Sequence, residues 1–176
     1  MEEHPIIELP VARRWRVGDF IFQIDEANHT FTVDGSRFDR GFGGSHRWDA
    51  RGGLTLRQFL IGMTDRQYPD RSYFMEKLFP SDALYEFSWE ETRRNLIRHT
   101  VEGWREGAYK KEEAHEIIDA LRWLGDDVSE EALYRDSALS RLIPHAYEHR
   151  STVDTARANA CWKAFCRFTE FLKANP

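Results

Sequence analysis

The chain has 176 residues and a mass of 20.8 kDa, with 41% hydrophobic and 31% charged residues. Collagen, disulfide scaffolds and disordered tails are excluded, because apolar residues are plentiful along the whole chain. No apolar run approaches the roughly 18–20 residues that cross a bilayer, and the Met-Glu-Glu-His start lacks the pattern of a signal peptide, so neither a membrane anchor nor export is expected. The two cysteines indicate a reducing cytoplasm. At this length we expect one domain over residues 1–176.

The net charge of −5 comes from 25 basic and 30 acidic side chains, so direct nucleic-acid binding is not expected. The charge is uneven. Residues 82–136 hold eight basic and fifteen acidic groups, a net charge of −7, whereas residues 35–71 have a net charge of +3. An acidic helical face can be an ordinary solvated surface, can repel nucleic acid, or can imitate it for a basic partner.

The first part of the chain has the pattern of β structure. Phe20, Phe22 and Ile24 alternate with other residues at a period of two, and β-favouring residues resume at 30–33 after a turn. This pattern predicts a hairpin, which needs a third strand, within residues 6–11, or other packing to be stable. Residues 35–53 contain six of the eleven glycines and are predicted to form an irregular loop.

The rest of the chain, from residue 54, has the pattern of helices. Ser88 and Glu91 predict a capping box, residues 114–124 carry the clearest apolar stripe, Ser129 caps a further helix, and residues 153–172 form the last stripe. The sequence therefore predicts an α+β fold. In it, an N-terminal β-hairpin or small antiparallel sheet packs on a mainly helical domain of about five helices.

A histidine motif provides one candidate site. His145-Ala146-Tyr147-Glu148-His149 has the H-x-x-E-H order and in that respect resembles the inverzincin metallopeptidases. On an α-helix, His145 and His149 lie one turn apart and can reach one Zn²⁺, and Glu148 can polarise the bound water. The resemblance implies a third acidic ligand on a distant helix. Glu170 is the only acidic residue after Asp154, and it lies closer to the motif in the sequence than this resemblance leads us to expect. A small zinc hydrolase is one alternative, and a surface histidine pair is the other.

The glycine-rich loop at residues 41–53 provides a second candidate site. Arg47 and Arg51 can hold a phosphate between two guanidiniums, and Trp48 can stack on a base, which would make a phosphate- or nucleotide-binding protein. The established phosphate-loop and dinucleotide-binding patterns are missing from the sequence. In the structural alternative, Trp48 fills the core and Asp49 bonds to an arginine or caps a turn.

Aromatic and acidic residues provide the third candidate site. The chain has six Trp, six Tyr and twelve Phe, and Trp15, Trp123 and Trp162 fall off or beside the apolar stripes. Such aromatics are typical interface anchors, or else they fill a dense core. The acidic pair at 112–113 begins a helix, where it can also act as a cap. The predicted partner-binding residues are Glu112, Glu113, Glu116 and Trp123.

Residues 48–53, 56–60 and 70–78 resemble short accessory proteins of bacteriophages and prophages. That resemblance implies a small cytoplasmic protein that is made during infection and acts by binding a host protein, with no catalytic residue to carry over. We therefore expect a non-enzymatic protein-binding module without a cofactor. It would modulate or inhibit a host or defence protein complex through the acidic helices of residues 88–136, and a homodimer is a further expectation.

Overall fold

A computed structural model describes residues 6–9, 13–49, 52–65, 70–126, 128–135, 143 and 146–175. The elements in these ranges are β1 (Ile6–Leu9), β2 (Arg14–Val17), β3 (Phe20–Asp25), β4 (Thr30–Asp34), β5 (Gly43–Arg47), α1 (Leu56–Asp65), α2 (Arg71–Leu78), α3 (Ser81–Leu84), β6 (Tyr85–Phe87), α4 (Trp89–Arg105), α5 (Lys111–Trp123), α6 (Glu130–Arg135), a 3₁₀ helix (Ala146–His149), β7 (Thr152–Asp154) and α7 (Ala156–Ala174). The predicted α+β class is confirmed.

Backbone contacts divide the chain into a first unit, residues 1–85 with 154–176, and a second unit, residues 86–153. The expectation of a single domain stays a prediction.

The first unit contains an antiparallel sheet in which β1 to β5 follow one another in chain order. Phe22 of β3 lies opposite Val33 of β4, and Ile24 lies opposite Phe31; all four are buried. The alternation predicted for β3 is therefore confirmed and defines an apolar inner face. The third strand exists as β1, but it pairs with β2, a strand that the sequence analysis did not identify.

Aromatic side chains join the helices of the first unit to the sheet. The rings of Phe22 and Phe168 are 4.9 Å apart between centroids, and those of Phe74 and Phe165 are 3.9 Å apart. Phe31 of the sheet contacts both α2 and α7, since its ring centroid lies 5.9 Å from that of Phe74 in α2 and 5.8 Å from that of Phe165 in α7. Burying a side chain of this size contributes about 1.5–3 kcal/mol, so this cluster forms the main part of the core.

Two tryptophans considered as interface anchors belong to this core. Trp15 is 7% exposed and its ring lies 5.3 Å from that of Phe168. Trp162 is partly buried and lies 5.8 Å from Phe74 and 5.6 Å from Phe165. The dense-core alternative therefore describes Trp15 and Trp162.

A carboxylate from the sheet caps the first helix. Glu26 lies in the turn after β3 and accepts hydrogen bonds from the backbone N–H groups of Leu56 and Arg57, both at 2.8 Å. A helix N-terminus has N–H groups without intrahelical partners, and a negative charge there is favourable. Arg57 in turn donates to the carbonyl oxygen of Leu172 in α7 at 2.7 Å. Sheet, α1 and α7 are thus joined by polar contacts as well as by the aromatic core.

The prediction of an irregular loop over residues 35–53 is wrong for its centre. Gly43–Arg47 forms β5 and pairs with β4. Glycine is required at position 44 by close packing, because a Cβ there would overlap the backbone carbonyl of Leu78 at the end of α2. A glycine within a strand often marks such a close approach of two backbones. From the sequence alone, a glycine-rich strand is easily mistaken for a flexible loop.

The second unit has its own core. Leu96 of α4, Ile117 and Leu121 of α5 and Leu133 of α6 are buried together, and Ala146 of the 3₁₀ helix belongs to the same cluster. The predicted apolar stripe of residues 114–124 is confirmed as the inner side of α5. The chain enters this unit at β6 and leaves it at β7, and these two strands pair.

Two predicted helix starts differ in detail from the structure. Ser88 Oγ accepts from the Glu91 N–H at 3.3 Å, as predicted, but the Ser88 N–H donates to Ser151 O at 3.0 Å. The Glu91 carboxylate binds Arg94 instead, so only half of the capping box is confirmed. The last helix begins after Thr155, whose hydroxyl accepts from the Ala158 N–H at 3.1 Å, and residue 153 belongs to β7.

Gly44→Ala should destabilise the first unit by about 1–3 kcal/mol, because the added methyl group must displace the Leu78 carbonyl. The matched control is Gly62→Ala in α1, where a Cβ meets no atom within 4 Å. We expect this control to stabilise the protein by roughly 0.5–1 kcal/mol, since alanine loses less backbone entropy in a helix. Urea unfolding measures both changes, and equal effects of the two variants would contradict the close approach at β5.

Candidate functional site

The outer side of α5 presents an acidic stripe that ends in a tryptophan. Glu112, Glu116, Asp119 and Trp123 recur at intervals of four, three and four residues, so they lie within roughly 60° of one another around the helix axis. All four side chains are exposed, whereas Ala114, Ile117 and Leu121 on the opposite side are buried. Three of the four predicted partner-binding residues therefore share one face, here called the α5 face and defined as Glu112, Glu116, Asp119 and Trp123.

Glu113, the fourth predicted residue, has a structural role. Its carboxylate accepts a hydrogen bond from the Lys110 N–H at 2.8 Å and so caps the start of α5. It lies about 100° around the helix from Glu112. Asp119 takes its place on the α5 face and was missed by the sequence analysis, although its spacing of seven residues from Glu112 was a usable signal.

Trp123 is the most exposed large hydrophobic residue described, at 89% of its full accessible area. Trp104, near the end of α4, is 43% exposed. The surrounding charge is acidic: residues 86–153 hold fifteen acidic and ten basic side chains and account for the whole net charge of −5. The residues of the first unit hold fifteen of each. Exposed aromatic and acidic groups therefore occur together in the second unit.

The loop proposed to bind phosphate is arranged mainly for structure. Trp48 is 4% exposed and packs 5.8 Å from Phe59 and 6.4 Å from Phe74, so its ring faces are covered. The Arg47 Nε donates to Asp49 Oδ1 at 2.7 Å. Both observations match the structural alternative. Arg51 lies outside the described residues, so the pairing of Arg47 and Arg51 stays a prediction.

The described part of the histidine motif does not lie on an α-helix. Ala146–His149 is a 3₁₀ helix, with three residues per turn, in which positions four apart do not share a face. The α-helical geometry assumed for the zinc hypothesis is therefore wrong for these residues, and His145 lies outside the described residues. Among the residues that the structure describes, no group of three or more His, Cys, Asp or Glu side chains is placed to hold a metal ion.

The structure gives His149 a different neighbour. Its ring lies 4.2 Å from that of His99 on α4, at an angle of 34° between the ring planes. Both line a surface cavity of about 280 Å³ together with Asn95, Arg98, Glu102, Glu148 and Arg150. Burial lowers the pKa of His149, and the positive charge of His99 lowers it further, against the opposite effect of Glu148. The sequence offered no signal for this pair, since the two residues are 50 positions apart.

The cysteines show no sign of reactivity. Cys161 is fully buried in the first unit, and desolvation strongly raises the pKa of its thiol; the pKa of Cys166 is raised for the same reason. A thiol held in its neutral form is a poor nucleophile. Separately, none of the described helices has the length and apolar character that a bilayer crossing demands.

Comparison with known proteins identifies one relationship. The model of a family described as a phage family matches residues 8–175, nearly the full chain, and confirms the resemblance to bacteriophage proteins. Neither the curated proteins nor the solved structures give a match.

His149→Gln should weaken the pH dependence of stability. Because the pKa of His149 is lowered in the folded chain, the unfolded chain binds the proton more readily, and the free energy of unfolding falls as the pH drops below about 6.5. Urea unfolding at about pH 7.5 and about pH 5.5 should show a smaller loss of stability for the variant than for the wild type.

The control for this experiment is His115→Gln, since His115 lies on the exposed side of α5. Some pH dependence should remain in every variant, because burial also lowers the pKa of His46. If His149→Gln and the wild type lose the same free energy on acidification, the contact of the two imidazoles does not affect folding.

Proposed function

Because the chain belongs to this phage family, we propose that it is a phage-encoded protein that binds a host or defence protein complex in the cytoplasm and modulates or inhibits it. The α5 face is the proposed binding surface. The observation that carries the proposal is the 89% exposure of Trp123 at the end of a line of three carboxylates.

Trp123 is the proposed anchor. A tryptophan buries 150–250 Å² when it enters a pocket, and tryptophan is among the residues that most often dominate the energy of an interface. The core of the second unit is built by Leu96, Ile117 and Leu121 without this side chain. The indole of Trp123 is thus not needed to build this core. Burial against a partner would give this side chain a function.

The carboxylates of the α5 face define the chemistry of the partner. Glu112, Glu116 and Asp119 favour a surface with lysine or arginine side chains around an apolar pocket that receives Trp123. Attraction between an acidic unit of net charge −5 and such a basic surface would speed association, and added salt would weaken this effect. The proposed partner is thus a basic protein surface.

Trp123→Ala and Glu116→Lys should each weaken partner binding at least about tenfold, the effect expected when an interface anchor or an interfacial charge pair is lost. Neither change removes a buried contact, so stability should stay within about 0.5 kcal/mol of the wild type. Immobilised wild-type protein and each variant are exposed to host lysate, retained proteins are quantified by mass spectrometry, and the purified partner is then titrated directly.

The matched control is Glu106→Lys, which makes the same charge change in the same unit. Glu106 is exposed at the C-terminal end of α4, where a lysine suits the helix dipole. The proposal requires a partner that the wild type and this control retain and that both α5-face variants lose. A partner retained equally by all four proteins, or no retained protein, would sink it. Sedimentation of the wild type beside Trp123→Ala identifies the case in which the partner is a second copy.

A further inference from the structure

The cavity beside the 3₁₀ helix gathers nitrogen-bearing side chains in an otherwise acidic unit. Arg98 and His99 come from α4, and His149 and Arg150 come from the end of the 3₁₀ helix. Asn95 adds an amide whose nitrogen donates to Ser151 Oγ at 2.7 Å, and the Ser151 N–H donates to Thr92 Oγ1 at 2.9 Å. These bonds hold the segment after the 3₁₀ helix against α4, so both walls of the cavity are fixed.

Charge in the cavity depends on the two histidines. The guanidiniums of Arg98 and Arg150 are offset by the carboxylates of Glu102 and Glu148, which line the same space. With neutral imidazoles the charges of these four lining side chains cancel, and Glu130 of α6, which pairs with Arg150, adds one further carboxylate beside the cavity. The rings are 4.2 Å apart, so protonation of both places two like charges in contact, and each proton adds one positive charge to the lining. A bound anion would lower this repulsion in the same sense as the nearby carboxylate of Glu148, and its negative charge would add to that of Glu148.

We propose that this cavity is a binding site for a tetrahedral oxyanion, such as a phosphate group, which Arg98 and the paired imidazoles of His99 and His149 hold. Its volume of about 280 Å³ is ample for such an anion with several waters, since a water occupies about 30 Å³. Guanidinium and protonated imidazole both donate charge-assisted hydrogen bonds to oxyanions. The site is separate from the α5 face, so either proposal can fail without the other.

The groups around the histidines set the expected pH dependence. Helix α4 contributes Arg98 and Glu102, and the 3₁₀ helix contributes Glu148. Glu130 of α6 forms an ion pair with Arg150. Tyr109 lies edge-on to His99, with ring centroids 6.5 Å apart. An imidazole is the ordinary side chain that gains a proton between about pH 7.5 and 6, whereas carboxylates and guanidiniums generally keep their charge there. Anion affinity should therefore rise as the pH falls through that range.

The test is a titration of the full-length protein with inorganic sulfate, followed by NMR of the backbone and histidine signals. Sulfate keeps its charge at every pH used, so a change of affinity reports on the protein alone. Potassium chloride at the same ionic strength is the reference. We expect saturable binding that is at least about fivefold tighter near pH 6 than near pH 7.5, with inorganic phosphate competing for the same signals.

Variants identify the residues that hold the anion. Arg98→Gln should weaken sulfate binding at least about fivefold, whereas its matched control Arg94→Gln, on the same helix but paired with Glu90 and Glu91, should change it less than twofold. His149→Gln should remove most of the pH dependence, and the NMR spectrum shows whether each variant is folded. The proposal is overturned if the NMR shifts do not saturate with sulfate or if chloride reproduces them. It is also overturned if Arg98→Gln and Arg94→Gln weaken sulfate binding equally, since either result would indicate non-specific ion binding only.

Discussion

Stacked phenylalanine rings hold the first unit together, and the positions of its other elements follow from that packing. Phe22 and Phe31 project from the sheet onto Phe165 and Phe168 of α7, which lie more than 130 residues further along the chain. Protein interiors are close-packed, so two backbone segments come into direct contact where a glycine leaves no side chain between them. The contact of β5 with the end of α2 at Gly44 is one such approach. Trp15 is buried in the same packing, whereas Trp123 in the second unit is exposed.

The second unit is built on a smaller apolar cluster and carries all of the net charge. Its helix α5 uses one side for the core and leaves the opposite side to carboxylates and Trp123. An acidic helical surface by itself is ordinary, since solvated charges cost little. Trp123 distinguishes this surface from an ordinary one, because its indole is 89% exposed and tryptophan is among the residues that most often anchor interfaces.

Two separate surfaces thus lie within residues 86–153. The α5 face offers carboxylates and an aromatic anchor, which suit a basic protein surface. The cavity at His99 and His149 combines guanidinium and imidazole groups with the carboxylates of Glu102 and Glu148, and it is the proposed oxyanion site. For a member of a phage family, binding through the first surface and ligand recognition in the second are compatible proposals, since they use different residues.

Local patterns in the sequence determined the elements whose cause lies within a few residues. The period of two in β3, the Ser88 hydroxyl at the start of α4 and the apolar stripe of α5 are of this kind, because strand pleat, helix capping and helix periodicity act over one or two turns. Tertiary structure alone decided that Glu26 caps α1, that Gly44 belongs to a strand and that His99 meets His149. Contacts between residues that are far apart in the sequence leave no periodic pattern in it, because they depend on how the elements pack against one another.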